Sequence, residues 1–214
     1  MDTSRLIQLA QLSRYWSLYS TTQAGSGHPS SSLSSAELAV SLFFGGEFHY
    51  DIHNAHSPYN DRFILSKGHA APLLYSVWLL ANMITSEEIQ DLRNFDSVLE
   101  GHPSMRSIFT DAATGSLGQG LGIGLGYAMN AKLFDKTEVY TYVLMGDSEM
   151  AEGSVWESIE SAAYYQIHNL VALIDINRLG QRGETMLGYD IEIYKNRLEA
   201  FNWNVILVDG HNIE

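Results

Sequence analysis

The sequence predicts an α/β fold, a parallel sheet with helices on both faces, in one domain spanning residues 1–214. Three observations predict it. "VYTYVLM" (139–145), "NLVALIDI" (169–176) and "NVILVD" (204–209) are unbroken β-rich apolar runs. Helix-patterned stretches, "EGSVWESIESAAYYQI" and "DIEIYKNRLEAFNW", separate them. Each run closes on polar residues: Gly146-Asp147-Ser148, Asp175-Ile176-Asn177 and Asp209-Gly210-His211. Strands covered on both faces read as continuous apolar runs, and parallel strands need helical crossovers.

The elements follow in chain order. Residues near 4–23 form one helix, and "SSAELAVSLFF" a second. "RFILS" (62–66) is a short strand that leads through a loop into the helix of "APLLYSVWLLANM". Thr85 and Glu88 stand at capping-box spacing and open a helix. In "TGSLGQGLGIGLGYAMNAK" (114–132), Gly118, Gly122 and Gly126 recur every four residues, as do Gly120 and Gly124. Glycine in a helix costs about 1 kcal/mol per position relative to alanine, so this helix needs a compensating close approach. Its start, at Gly115–Leu117, offers unpaired N–H groups to a polar ligand. In the next helix Val155, Ile159, Ala162 and Ala163 share a face. "NVILVD" is the last strand.

Composition narrows the function. Hydrophobic residues make up 45% and charged ones 17%, enough apolar material for a core and too little charge for a disordered chain. A net charge of −13 opposes non-specific binding to nucleic acid or an anionic membrane, so no partner of either kind is expected. There is no cysteine, hence no disulfide, thiolate nucleophile or Cys-type zinc site. The opening "MDTSRLIQLAQLSRYW" lacks a signal-peptide pattern, and the longest apolar stretch is too short for a bilayer. A cytoplasmic location is the default expectation.

In an open parallel sheet the carboxyl ends of the strands share one edge, where ligands bind. Asp147 and Asn177 therefore become neighbours despite their separation in sequence. A carboxylate and an amide oxygen form a hard pair suited to Mg2+ or Ca2+. Equally, Asp147 serves as a cap for the helix that follows. Among the histidines, His49, His53 and His56 read as surface groups and His168 as a helix-end residue. His28, His69 and His102 differ, because each follows a glycine and His28 and His102 stand in two copies of "GHPS". Glycine before and proline after restrict the backbone and can aim the ring outward. Imidazoles near neutral pKa suit proton transfer or hydrogen bonds to hydroxyls.

These segments together resemble the thiamine-diphosphate-binding part of transketolases. "SGHPSSSLSSAELAVSLFF", "DRFILSKGHAAPLLYSVW" and the second "GHPS" are similar to that family's three histidine segments. The glycine run resembles its cofactor loop, and "GDSEMAEGSVWE…NLVALIDINRLGQ" its cofactor motif. The resemblance implies a thiamine-diphosphate-binding fold and transfer of a two-carbon ketol unit between sugar phosphates. It implies Asp147, Asn177 and the Leu179 carbonyl as ligands of Mg2+, or of Ca2+ or Mn2+ in its place. Lys67, His69, Gly115, Leu117, Ser148 and Gln181 would meet the cofactor. His28, Ser31 and His102 would face the sugar, with His28, His69 and His102 assisting catalysis. Glu152, Glu157, Gly118 and Gly122 would lie at a subunit contact.

Two departures stand out. Ser148 replaces the second glycine of the family's Gly-Asp-Gly. The chain also stops at "VDGHNIE", before a further helix and strand and without the pyrimidine-binding domain. The expectation is an amino-terminal part, truncated or naturally split, that is active only with a carboxyl-terminal partner as a dimer or heterotetramer. A deoxyxylulose-phosphate synthase-like or 2-oxoacid dehydrogenase-like enzyme, or a cofactor-binding assembly subunit without activity, are the other readings.

Overall fold

A computed structural model describes residues 2–214, and the chain packs as two compact units. One comprises the chain up to Asn60, Gly68–Gly115 and Gly210–Glu214; the other comprises Asp61–Lys67 and Ser116–Asp209. Among the described residues no helix is long and apolar enough to cross a membrane.

The first unit is helical. α1 (Thr3–Ala24) starts where the Asp2 side chain accepts from the Arg5 N–H, and it ends at Gly25 with φ 58°. Its buried residues, Leu6, Ala10, Ser13, Ser17, Ser20 and Thr21, recur at helical spacing. Leu6 and Ala10 pack with Val40. Further along, small serines bring α1 close to α4 (Ala71–Leu80), where Ser13 Oγ and Ser76 Oγ lie 2.6 Å apart. The expected second helix is α3 (Ala36–Gly45), preceded by a short α2 (Pro29–Ser34). Ser35, at φ −106° and ψ 16°, breaks the two apart. A 3-10 turn, Gly68–Ala70, leads into α4, whose first eight residues are all buried. α5 (Ser86–Gln90) opens with the expected reciprocal bonds between Thr85 and Glu88.

The second unit holds the sheet. β1 (Arg62–Leu65), β2 (Thr141–Gly146) and β3 (Leu170–Asp175) run parallel in that order. Arg62 pairs with Thr141, Thr141 with Leu170, and Gly146 with Asp175. α6 (Gly120–Met129) lies against all three strands. α7 (Gly153–Tyr164) buries Val155, Ile159 and Ala162, while Ala163 is only partly covered. A hairpin of β4 (Leu179–Gly180) and β5 (Gly183–Glu184) precedes α8 (Ile191–Ala200).

Two expectations are corrected. Residues 204–209 are not a strand: they pair with none, and Ile206 and Val208 are 75% and 67% exposed. An apolar β-rich run needs a neighbour to satisfy its backbone and cover its side chains, and here it has neither. The glycine helix also begins at Gly120, so Gly115–Leu117 precede it and are not its first turn.

Of the two glycine rows in that segment, Gly120 and Gly124 make the close approach to the sheet side. A Cβ at Gly124 would fall 2.5 Å from Val143 Cγ2, and one at Gly120 would run into Ser66. Gly118 is buried with φ +87°, where a Cβ would meet Glu152 Cβ at 2.5 Å. Gly122 is exposed with Ser158 Oγ at 3.2 Å, and Gly126 has nothing within 4 Å. Close helix–sheet approach therefore falls on the Gly120/Gly124 row.

These two rows respond oppositely to alanine. Gly124→Ala lowers stability by about 1–3 kcal/mol through overpacking, whereas Gly126→Ala raises it by about 0.5–1 kcal/mol through helix propensity. Urea unfolding midpoints measure both, and shifts of the same sign would contradict this packing.

Candidate functional site

The second unit gathers its charges where the parallel strands end. Asp147 follows β2 directly, and its N–H donates to the Asp175 carbonyl at the end of β3 (3.2 Å). The side chain of Asp147 is buried among neutral donors. Oδ1 accepts from the Ser148 N–H at 3.0 Å; Oδ2 accepts from the Arg178 N–H at 2.8 Å and from Thr185 Oγ1 at 2.9 Å. A carboxylate oxygen carries two lone pairs, so Oδ2 is saturated and Oδ1 keeps one. Burial pushes the Asp147 carboxyl above its usual value, with the Thr185, Arg178 and Ser148 bonds opposing and the Asp175 charge adding to the rise.

Asn177 lies two residues past β3. Its Nδ2 donates to Asp175 Oδ2 at 3.0 Å, and its Oδ1 accepts from the Leu179 N–H at 2.9 Å. Asp147 and Asn177 thus share one rim, as strand direction implied. Leu179 is in β4, and Gln181 is exposed in the turn between β4 and β5. The hairpin is tied to the rim, because Thr185 donates its N–H to Arg178 O (2.8 Å) and its hydroxyl to Asp147. A pocket of about 220 Å³ adjoins Asp147 and Ser148, lined also by Met150, Thr185 and Tyr194.

Lys67 is 1% exposed, with Nζ 2.6 Å from Asp175 Oδ2. Burial pushes its ammonium below the usual range, while the charges of Asp175, Asp147 and Glu149 pull it back. Glu149 is wholly buried and binds neutral donors: the Gly118 N–H at 2.7 Å, the Gly146 N–H at 3.3 Å and the Ser66 hydroxyl. One ammonium thus stands among three carboxylates. Lys67 is held inside the protein, paired with Asp175. Glu152 and Glu157 are both exposed, at the cap of α7 and on α7 itself.

The first unit gathers the histidines. His28 caps α2 ahead of Pro29, and its ring lies 5.4 Å from that of His69, centroid to centroid, at 65°. His102 packs over Gly115, where a Cβ would come within 3.3 Å of His102 Cδ2. Gly115 has φ +152°, so glycine is required there for conformation as well as space. Gly68 abuts Thr114 and the Gly115 N–H, at 2.8 and 2.9 Å from an added Cβ. The Tyr75 hydroxyl donates to Glu100 O (2.9 Å) and stands 3.4 Å from His102 O. Burial, then the Arg93 and His28 charges, lower the His102 pKa below its ordinary value of 6.5. Ser31 is half-buried on α2.

Residues 7–214 match the family described as "Transketolase, thiamine diphosphate binding domain". The chain belongs to the transketolase family. It is 50% identical to the transketolase of Homo sapiens over 201 residues, 94% of this chain and 32% of that protein. It is 49% identical to transketolase-like protein 2 of Bos taurus over 209 residues, 98% of this chain and 33% of that protein. Among solved structures, a transketolase from Campylobacter jejuni superposes with TM-score 0.92 at 30% identity, covering 100% of this chain and 34% of that one. The chain spans about a third of the length of these transketolases. The matched region, residues 7–214, includes residues of both units.

The rim fits a divalent cation. Its ligands are hard oxygens, every donor on Asp147 is neutral, and three carboxylates against one ammonium leave negative charge unmatched. Among the described residues no three His, Asp or Glu side chains can hold a metal by themselves. A cation at Asp147 would therefore need oxygens from groups other than these side chains.

Sequence reading missed Glu149, Asp175 and Thr185 as site residues. Asp175 carried a signal as a strand-end carboxylate. Glu149 lay inside the cofactor motif but looked like any acidic helix-start residue. Thr185 carried none, because only the hairpin's geometry takes it to Asp147.

Thr185→Val removes one donor to Asp147 while preserving shape, and weakens Mn2+ binding in the presence of thiamine diphosphate by about tenfold; Thr185→Ser restores it. Isothermal titration measures both, and unchanged affinity in the valine variant would remove Thr185 from this role.

Proposed function

We propose that this chain supplies the diphosphate-binding and sugar-binding half of a transketolase active site, which moves a two-carbon ketol unit from a ketose phosphate to an aldose phosphate. The observation that carries the reading is the gathering of His28, His69 and His102 with Gly115, in a domain whose strand rim has an unneutralised carboxylate at Asp147. Bound thiamine diphosphate supplies the electron sink for carbon–carbon cleavage.

The chain's own residues do the rest. Mg2+, or Ca2+ or Mn2+ in its place, would be held by Asp147, Asn177 and the Leu179 carbonyl. Asp147 Oδ1 keeps a lone pair, while Oδ2 already accepts two hydrogen bonds. Ser148 and Gln181 attend the diphosphate, and Lys67 acts on it through its field from a buried position. Ser148 is compatible with this site because its N–H is directed to Asp147 and its side chain is small. Gly115 and Leu117 line the cofactor. His28, Ser31 and His102 meet sugar hydroxyls, while His69 packs beside His28. A depressed pKa keeps His102 neutral at physiological pH, with one nitrogen free to accept a proton and one to donate.

Glu152 and Glu157, exposed in this chain, are placed in this reading at a subunit contact, with Gly122 nearby on α6 and Gly118 behind it. The pyrimidine-binding part comes from a carboxyl-terminal domain or subunit, giving a dimer or heterotetramer in the cytoplasm.

Mixing the chain with the pyrimidine-binding part of a transketolase, Mg2+ and thiamine diphosphate gives ketol transfer from a ketose phosphate and none from pyruvate. His102→Ala lowers kcat/KM about a hundredfold while cofactor affinity holds. The acid limb of the wild-type rate lies below pH 6.5, because His102 stays neutral to lower pH than an ordinary histidine. Cofactor binding without any transfer would leave an assembly subunit instead.

A further inference from the structure

The two GHPS segments are bridged by one side chain. Arg93 follows α5 with φ 66°, a left-handed conformation that a non-glycine residue adopts only where its surroundings impose it. Two features impose it. Its N–H donates to Leu99 O at 2.9 Å, closing the 93–99 loop, and Leu92 and Leu99 are buried on either side. The guanidinium is thereby directed at both histidine loops. Nη1 donates to Ser26 Oγ at 3.1 Å, two residues before His28. The same group lies against Gly101, next to His102, where an added Cβ would come within 2.5 Å of Cζ and Nη2.

We infer that Arg93 is a positioning residue that couples the His28 and His102 loops, fixing the spacing of the two imidazoles. A fork of donors on a rigid plane can bond one loop while stacking on the backbone of the other, which a lysine cannot do. Gly101 is glycine because any side chain would displace the guanidinium from its seat. The coupling rests on geometry alone, and only its consequence for sugar binding rests on the function proposed above.

Arg93 also acts on His102 through its charge. The charged or titratable groups that bear on the His102 ring are Arg93 and His28, and the Tyr75 hydroxyl stands by its carbonyl. Removing the cation lets the His102 pKa rise toward its ordinary value. Burial also lowers that pKa, so Arg93→Lys, which keeps the cation while releasing the loops, separates the charge effect from loss of cover.

The test uses histidine ring signals in NMR titrations and amide hydrogen exchange on the full chain without substrate. Arg93→Met raises the His102 midpoint and speeds exchange about fivefold at residues 26–30 and at 101–104. Arg93→Lys leaves the midpoint near wild type but speeds exchange in both loops. Gly101→Ala, which displaces only the flexible guanidinium, loosens both loops with the fold intact, and it decides the matter should Arg93→Met not fold. Exchange unchanged in either loop, or a His102 midpoint indifferent to Arg93→Met, overturns the inference. Because both readouts omit substrate, intact coupling without ketol transfer would count against the proposed activity and not against Arg93.

Discussion

The second unit depends on a single ammonium buried among carboxylates. Lys67 lies two residues past β1, Asp147 and Glu149 follow β2, and Asp175 ends β3, so parallel strand direction brings them to one rim. Removing one partner of a buried ion pair costs about 3–5 kcal/mol, against roughly 1 kcal/mol for an ordinary hydrogen bond. Lys67–Asp175 therefore outweighs any one of the caps and turns around it. That pair also braces Asn177, which donates to the same Asp175 oxygen. The charges are not balanced: Lys67 pairs with Asp175, while Asp147 and Glu149 are both held by neutral donors. Packing and the proposed function thus meet in one place: the rim is stable enough to form, and it carries negative charge that a divalent cation would neutralise in the function proposed above.

The first unit solves a different problem, which is how to hold histidines on loops. Loops lack a ladder to fix them, so each is tied by side chains and by glycines that permit close contact. His102 rests on Gly115, Gly68 abuts Thr114, and Tyr75 reaches the carbonyls of Glu100 and His102. Arg93 adds the link between the loops. The repeated GHPS reflects this arrangement. Glycine admits the neighbour, and proline starts the helix at α2 or turns the chain at Pro103, whose carbonyl accepts from the Thr114 N–H.

Much of this was legible in the sequence. The apolar runs located β2 and β3 to within two residues at each end, and their polar ends located Asp147 and Asn177. Thr85 and Glu88 announced α5 because a capping box is local chemistry. What failed was non-local. Residues 204–209 have every strand propensity, but a strand is defined by its neighbour and this one has none. The glycine periodicity announced close packing, yet two interleaved rows were available, and only the sheet's position selects Gly120/Gly124 over Gly118/Gly122/Gly126. Thr185 and Arg93 were invisible for the same reason, since each acts across a hairpin or between loops that no spacing rule connects.

In the proposed function the rim would hold its cation only together with a diphosphate, because the protein contributes too few ligands to hold it alone. Isothermal titration of the chain with Mg2+, with and without thiamine diphosphate, tests it most directly. The account predicts no saturable heat from Mg2+ alone and clear binding once thiamine diphosphate is present. Tight Mg2+ binding by the free chain, or thiamine diphosphate binding undiminished by EDTA, would contradict it.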